Sequence, residues 1–146
     1  MITVEKLLGN KAASIWSIGP DVTVFEAIEM MRDKNVGALV VLLEDKLIGI
    51  LSERDYTRKI ILEGLSSRET PVKKIMTRNV FYTFPAQNVE DCMVVMTKHH
   101  IRHLPVIEDE KVVGMISLGD VVKAIIQQQK IQIEHLENTI SWGESY

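Results

Sequence analysis

The sequence predicts an α/β (α+β) protein made of two copies of one β-α-β-β-α unit, and two observations carry that reading. First, Gly49-Ile50-Leu51-Ser52-Glu53-Arg54-Asp55 returns as Gly114-Met115-Ile116-Ser117-Leu118-Gly119-Asp120, displaced by 65 residues. The same displacement relates Pro20 to Pro85, Val24 to Val89, Met31 to Met96, Leu39 to Leu104 and Lys46 to Lys111 without a gap, and a register of that length marks structural duplication. Second, stretches of helical spacing alternate with short β-branched runs in the same order in both copies.

In the first copy, Ile15 to Ile18 reads as a short strand. Pro20-Asp21-Val22-Thr23 reads as a turn that caps a helix starting near Val24, with Ala27, Ile28 and Met31 on one face. After Lys34-Asn35 the run Ala38-Leu39-Val40-Val41-Leu42 is β-branched and too short for a typical helix, so it is a buried strand. Glu44-Asp45-Lys46 turns the chain, Leu47 to Leu51 returns as a partner strand, and Asp55 to Leu62 resumes helical spacing. The second copy follows the same order from Val80 to Ile126. The expected organisation is a lead-in over 1–14, one unit over 15–63, a linker over 64–79, a second unit over 80–127, and a C-terminal helix and tail over 128–146. In that last stretch Ile133, Leu136 and Ile140 continue a three- and four-residue spacing from Val122 and Ile126. An amphipathic helix there packs on its own domain or on another chain.

Composition excludes several classes. With 146 residues and 46% hydrophobic content there is room for one compact core, and each half alone would be marginal. A net charge of −3 leaves no basic excess for nucleic-acid phosphates. No apolar run reaches the ~20 residues that span a bilayer, and the start Met-Ile-Thr-Val-Glu-Lys lacks the order of a secretory signal, so neither a membrane nor export is expected. The single cysteine, Cys92, lies among Met93, Val94, Val95 and Met96 and reads as core. A cytoplasmic protein is the expectation.

The doubled Ser-x-x-Asp has two readings. A serine followed three residues later by an acid, just ahead of a helix, is a capping box. The same geometry offers backbone amides to a phosphate and a carboxylate to two ribose hydroxyls. In the first copy Arg54 and Arg58 flank the motif, either as phosphate ligands or as a solvated helix face; the second has Gly119 and Lys123 there, so the first site is expected to prefer the more highly phosphorylated ligand. His99, His100 and His103 do not have the placement of a metal site, because a helix end and a strand would have to bend together. Arg102-His103-Leu104-Pro105-Val106 reads instead as donors on a strand edge, with Pro105 limiting backbone pairing. No carboxylate pair or metal cluster of catalytic spacing is present, so the expected answer to whether this is an enzyme is no.

These residues, together with Lys74-Ile75-Met76-Thr77, resemble a tandem pair of CBS domains, or Bateman module, over about residues 13 to 127. The resemblance implies two repeats related by a pseudo-two-fold axis, with adenosine-containing ligands (AMP, ATP, NAD or a related adenosyl molecule) in clefts between them and no catalytic cofactor. It makes Asp55 and Asp120 the ribose ligands, with Ser52 and Ser117 beside ribose or phosphate. It completes the Asp55 cleft, which also holds Arg54 and Arg58, with Arg78 to Val80 and with Arg102, His103 and Leu104. The Asp120 cleft takes Lys11, Ala13 and Ile15 with Val36, Gly37 and Ala38. Apolar walls with backbone donors hold the adenine. The first copy has Ala38 and Val40 where the second has His103 and Pro105. The resemblance further implies a homodimer and a regulated protein partner. The rival reading is an interaction or dimerisation module with degenerate clefts, working through the C-terminal helix.

Overall fold

The computed structural model describes residues 1–9 and 15–144, with side chains as far as Thr139. Helix α1 (Val4–Gly9) comes first. The first unit is β1 (Ser17–Ile18), α2 (Val24–Lys34), β2 (Ala38–Leu43), β3 (Lys46–Ser52) and α3 (Glu53–Asp55), which continues as a π-helical stretch, Tyr56–Ile61. A short α4 (Val72–Ile75) lies in the linker, and the second unit is α5 (Val89–His99), β4 (His103–Glu108), β5 (Lys111–Ser117) and α6 (Leu118–Glu144). Among the described residues no helix is long and apolar enough to cross a membrane.

The duplication extends to backbone detail. The first long helix of each unit ends on a left-handed residue, Asn35 and His100, and both hairpins turn on two consecutive positive-φ residues, Glu44-Asp45 and Asp109-Glu110. Each hairpin shifts register after its fourth pair, between Val41 and Leu42 and between Val106 and Ile107. The first sheet runs β1-β2-β3 with β1 parallel to β2; the second has β4 and β5 alone. The strand expected near Val80 shrinks to one bridge, Thr83 with Val106. The reason is Pro105: it stands where Val40 pairs with Ser17, and without an N–H it stops the ladder short of Tyr82.

Two cores result. Val24, Ala27, Met31, Leu39, Val41 and Leu51 form the first, closed by Val72, Ile75 and Met76; Val89, Met96, Leu104, Val106 and Ile116 form the second, closed by Val4 and Leu7. The two lids are themselves a repeat. Val4, Lys6, Leu7 and Leu8 match Val72, Lys74, Ile75 and Met76 at a displacement of 68, three residues more than in the body. The bonding is copied as well. Val24 N donates to Thr70 O and Val72 N to Val22 O (2.9 and 2.8 Å), as Val89 N donates to Ile2 O and Val4 N to Gln87 O (2.9 and 2.8 Å). So α4 closes the unit it follows, while α1, which precedes the first unit, crosses over to close the second.

The motif glycines serve this closure. A Cβ at Gly49 would lie 2.6 Å from Met76 Sδ, and one at Gly114 2.8 Å from Leu8 Cδ2. The stretch from residue 128 continues α6 without a break, as the spacing from Val122 and Ile126 implies. Gln127-Gln128-Gln129-Lys130 are good helix formers with no glycine or proline among them.

Candidate functional site

Strands β3 and β5 lie against each other between the units, and a cavity of about 260 Å³ opens beside them. Its floor is built by the end of β3. Ser52 and Asp55 form the capping box: Ser52 N and Oγ donate to Asp55 Oδ2 at 3.0 and 3.1 Å, and Asp55 N donates to Ser52 Oγ at 3.2 Å. Asp55 is only 8% exposed. Its other oxygen, Oδ1, accepts from Thr77 Oγ1 at 3.1 Å and pairs with Lys59 Nζ at 3.1 Å; Lys59 also donates to Ile75 O at 2.9 Å. A carboxylate has about four acceptor positions, and four donors meet this one. Lys59 follows its acid by four residues, so one helical turn sets the two on the same face.

The mouth joins the units. Arg54 Nη1 donates to the carbonyl of His100 at the end of α5. Gly37 O accepts from Glu53 N at 3.1 Å, and a Cβ at Gly37 would come within 3.3 Å of the His103 ring and 3.2 Å of Glu53 Oε1. Glycine is therefore what lets the second unit's histidine reach across. Phe81 stacks on His99 with ring centroids 4.0 Å apart.

Of the residues expected around Asp55, the cavity lining includes Ser52, Arg54, Asp55, Val80, Arg102 and His103. Arg58 and Arg78 are exposed and do not line it; Arg78 donates to Lys73 O at 3.2 Å instead. Leu104 is 1% exposed in the second core. Gly37, expected at the Asp120 cleft, lines this cavity. Asn79, within the expected run Arg78 to Val80, lines it too, and Ile50, Glu53, Thr77, Phe81 and Ile101 line it unforeseen. Ile101 had a signal: Val36, Gly37 and Ala38 displaced by 65 are Ile101, Arg102 and His103, so the expected run was one residue late.

Around Asp120 the capping box repeats, with Ser117 N donating to Asp120 Oδ2 at 2.9 Å and Asp120 N to Ser117 Oγ at 3.1 Å. Lys11 and Ala13 lie outside the described residues. Ile15 is 36% exposed, Val36 packs on the first core, and Ala38 is fully buried on the face of β2 opposite the core residues Leu39 and Val41. The positions of Thr77 and Lys59 are held in the second copy by Gly9 and Ala124, at displacements of 68 and 65. Among the described residues no three histidine, cysteine or acidic side chains group as a metal site.

The CBS-domain family model matches residues 12–62 and 72–127. The mitochondrial CBS domain-containing protein CBSX3 of Arabidopsis thaliana is 40% identical over 146 residues, covering 96% of this chain and 71% of that protein. The structure of a CBS-domain protein from Burkholderia ambifaria MC40-6 is 42% identical with a TM-score of 0.85, over 88% of this chain and 96% of that one. The fold also matches the CBS domain pair of protein MJ0100, solved with 5′-methylthioadenosine and S-adenosyl-L-methionine, at 22% identity and a TM-score of 0.76, over 87% of this chain and 98% of that one. With both units matched and the duplicated geometry to support them, this chain belongs to the CBS-domain family and carries two CBS domains in tandem.

Proposed function

We propose that this CBS pair is a non-enzymatic sensor that takes an adenosine-containing ligand, AMP, ATP, NAD or a relative such as S-adenosylmethionine, in the cavity between its repeats. The carrying observation is that both units build one cavity around a buried carboxylate, Asp55, with a guanidinium, Arg54, at its mouth. Asp55 accepts the ribose hydroxyls. Ile50, Val80 and Ile101 supply apolar wall for the base, and Arg54 and Arg102 face the phosphates. At about 260 Å³ the cavity sits at the lower edge of the ~300–1,000 Å³ usual for small-molecule sites, so the nucleoside enters and the phosphates stay towards the mouth. The adenosyl ligands of the MJ0100 pair support the ligand class. Occupancy then shifts the two repeats, or a regulated partner, by the difference in affinity between states. The buried Cys92 thiol is in keeping with the cytoplasm.

One observation favours the rival, an interaction module with degenerate clefts: all four donors that Asp55 can accept already come from the protein itself. Isothermal titration of nucleotide-free protein with AMP, ATP, NAD and S-adenosylmethionine separates the two. The sensor binds at least one of them at millimolar concentration or below, and Asp55→Ala removes that binding while circular dichroism stays native. No binding by any of the four refutes the sensor.

A further inference from the structure

The outer half of α6 is unsupported by its own chain's core. Every residue from Ile131 to Thr139 is exposed, and a helix of this length standing alone is marginal in water. Yet it carries an ordered apolar line. Val122, Ile126, Gln129, Ile133 and Leu136 follow one another at four, three, four and three residues, and Ile140 adds four more in the sequence. Ile126, Ile133 and Leu136 are 55%, 54% and 60% exposed. The face that α6 does bury, through Val121 and Ala124, lies to one side of this line. An average period of 3.5 residues is the seam of a two-stranded coiled coil, here about 27 Å long at 1.5 Å per residue.

We infer that this seam is filled by α6 of a second copy of the chain, running antiparallel. Charge decides both the occupant and the direction. The positions flanking the seam on one side are Lys123, Lys130 and Glu137, and on the other Ile125, Gln132 and Thr139. A parallel pair sets one side against the other, so Lys130 meets Ile125 and Glu137 meets Gln132, and no charge finds its opposite. An antiparallel pair sets like sides together. Lys130 of each copy then faces Glu137 of the other, twice by symmetry, while Gln132 faces Thr139. Ile133 of one copy packs beside Leu136 of the other. Gln129 in the seam gives up some stability and pins the register.

Sedimentation equilibrium of the whole chain tests this. The unaltered protein should dimerise. Ile133→Lys should weaken the dimer at least ~100-fold, since it buries two unpaired charges. Lys130→Glu should weaken it about five-fold, and Lys130→Glu combined with Glu137→Lys should return it to within about two-fold of the original. All three positions are exposed, so helical content and melting of the repeats serve as the check on folding. A monomer at all concentrations, with the fold intact, rules out the second copy as occupant. A dimer indifferent to Ile133→Lys pairs through another surface, and one that the double charge exchange does not restore is not antiparallel; either result overturns the inference.

Discussion

Lys59→Met should tighten the binding of a neutral nucleoside. Asp55 Oδ1 accepts from Thr77 and Lys59, and Oδ2 from the amide and hydroxyl of Ser52. A ribose diol brings two new O–H donors to a carboxylate with about four acceptor positions already met, so two must leave. The Ser52 bonds hold the helix start together. Lys59 is the expendable donor: its side chain is 39% exposed, and water and the Ile75 carbonyl can take its ammonium. An ion pair with that much solvent contact stabilises by ~0.2–1 kcal/mol. Removing it beforehand spares the ligand that much, which corresponds to a dissociation constant roughly 1.4- to 5-fold lower. Methionine keeps the aliphatic stem in place. Adenosine is the probe, because without phosphates its affinity does not respond to the lost positive charge. Isothermal titration reads the result, with Asp55→Asn as the partner variant, expected to weaken binding ten-fold or more. Unchanged or weaker adenosine binding by Lys59→Met refutes the competition. If Asp55→Asn also binds normally, Asp55 is a helix cap and nothing more.

Gly49→Ala should destabilise by ~1–3 kcal/mol in urea melts, because its Cβ meets Met76 and lies 3.1 Å from the Thr77 carbonyl. Gly114→Ala meets only the end of the Leu8 side chain, so its midpoint should fall less. Gly37→Ala should leave the midpoint within ~1 kcal/mol yet weaken ligand binding, since Glu53 and His103 must each give way. Burial pushes the Cys92 thiol up from its ordinary range, with the Thr83 hydroxyl partly offsetting this. The stability it contributes is therefore complete below about pH 8.5 and is lost as the pH rises through the folded thiol's own pKa. Cys92→Ala should lose less stability than the parent between pH 7.5 and 10 by the same urea measurement.

Much of this was legible because the duplication is ungapped from Pro20 to Asp120. It set the strand order, the hairpins and both capping boxes, and it paired the caps Asn35 and His100. The lids stayed hidden for the same reason. They obey a displacement of 68, so a search in the 65-residue register passes over Val4 and Val72. The glycines of the motif, whose purpose the repeat alone does not disclose, make room for Met76 and Leu8. Thr77 could not be read beside Asp55, since it comes from the linker, whereas Lys59 lies four residues on in a stretch of helical spacing and was legible from that alone. The first strand of the second unit failed through one imino acid, Pro105, whose effect on pairing was visible although its reach to Tyr82 was not.

The crossing of α1 has a consequence for the order in which the protein becomes itself. The first core gathers residues from Ile18 to Met76, so it can close once that stretch has left the ribosome. The second needs Val4 and Leu7 together with Val121 and Ala124, made more than a hundred residues later. Until then the core that α1 closes is incomplete, and the loop it must finally close runs from Leu7 to Val121. The first repeat is thus an early, local fold. The second is a late, long-range one that draws α1 back to α6, so a burden on α1 should show itself in the distant half of the molecule.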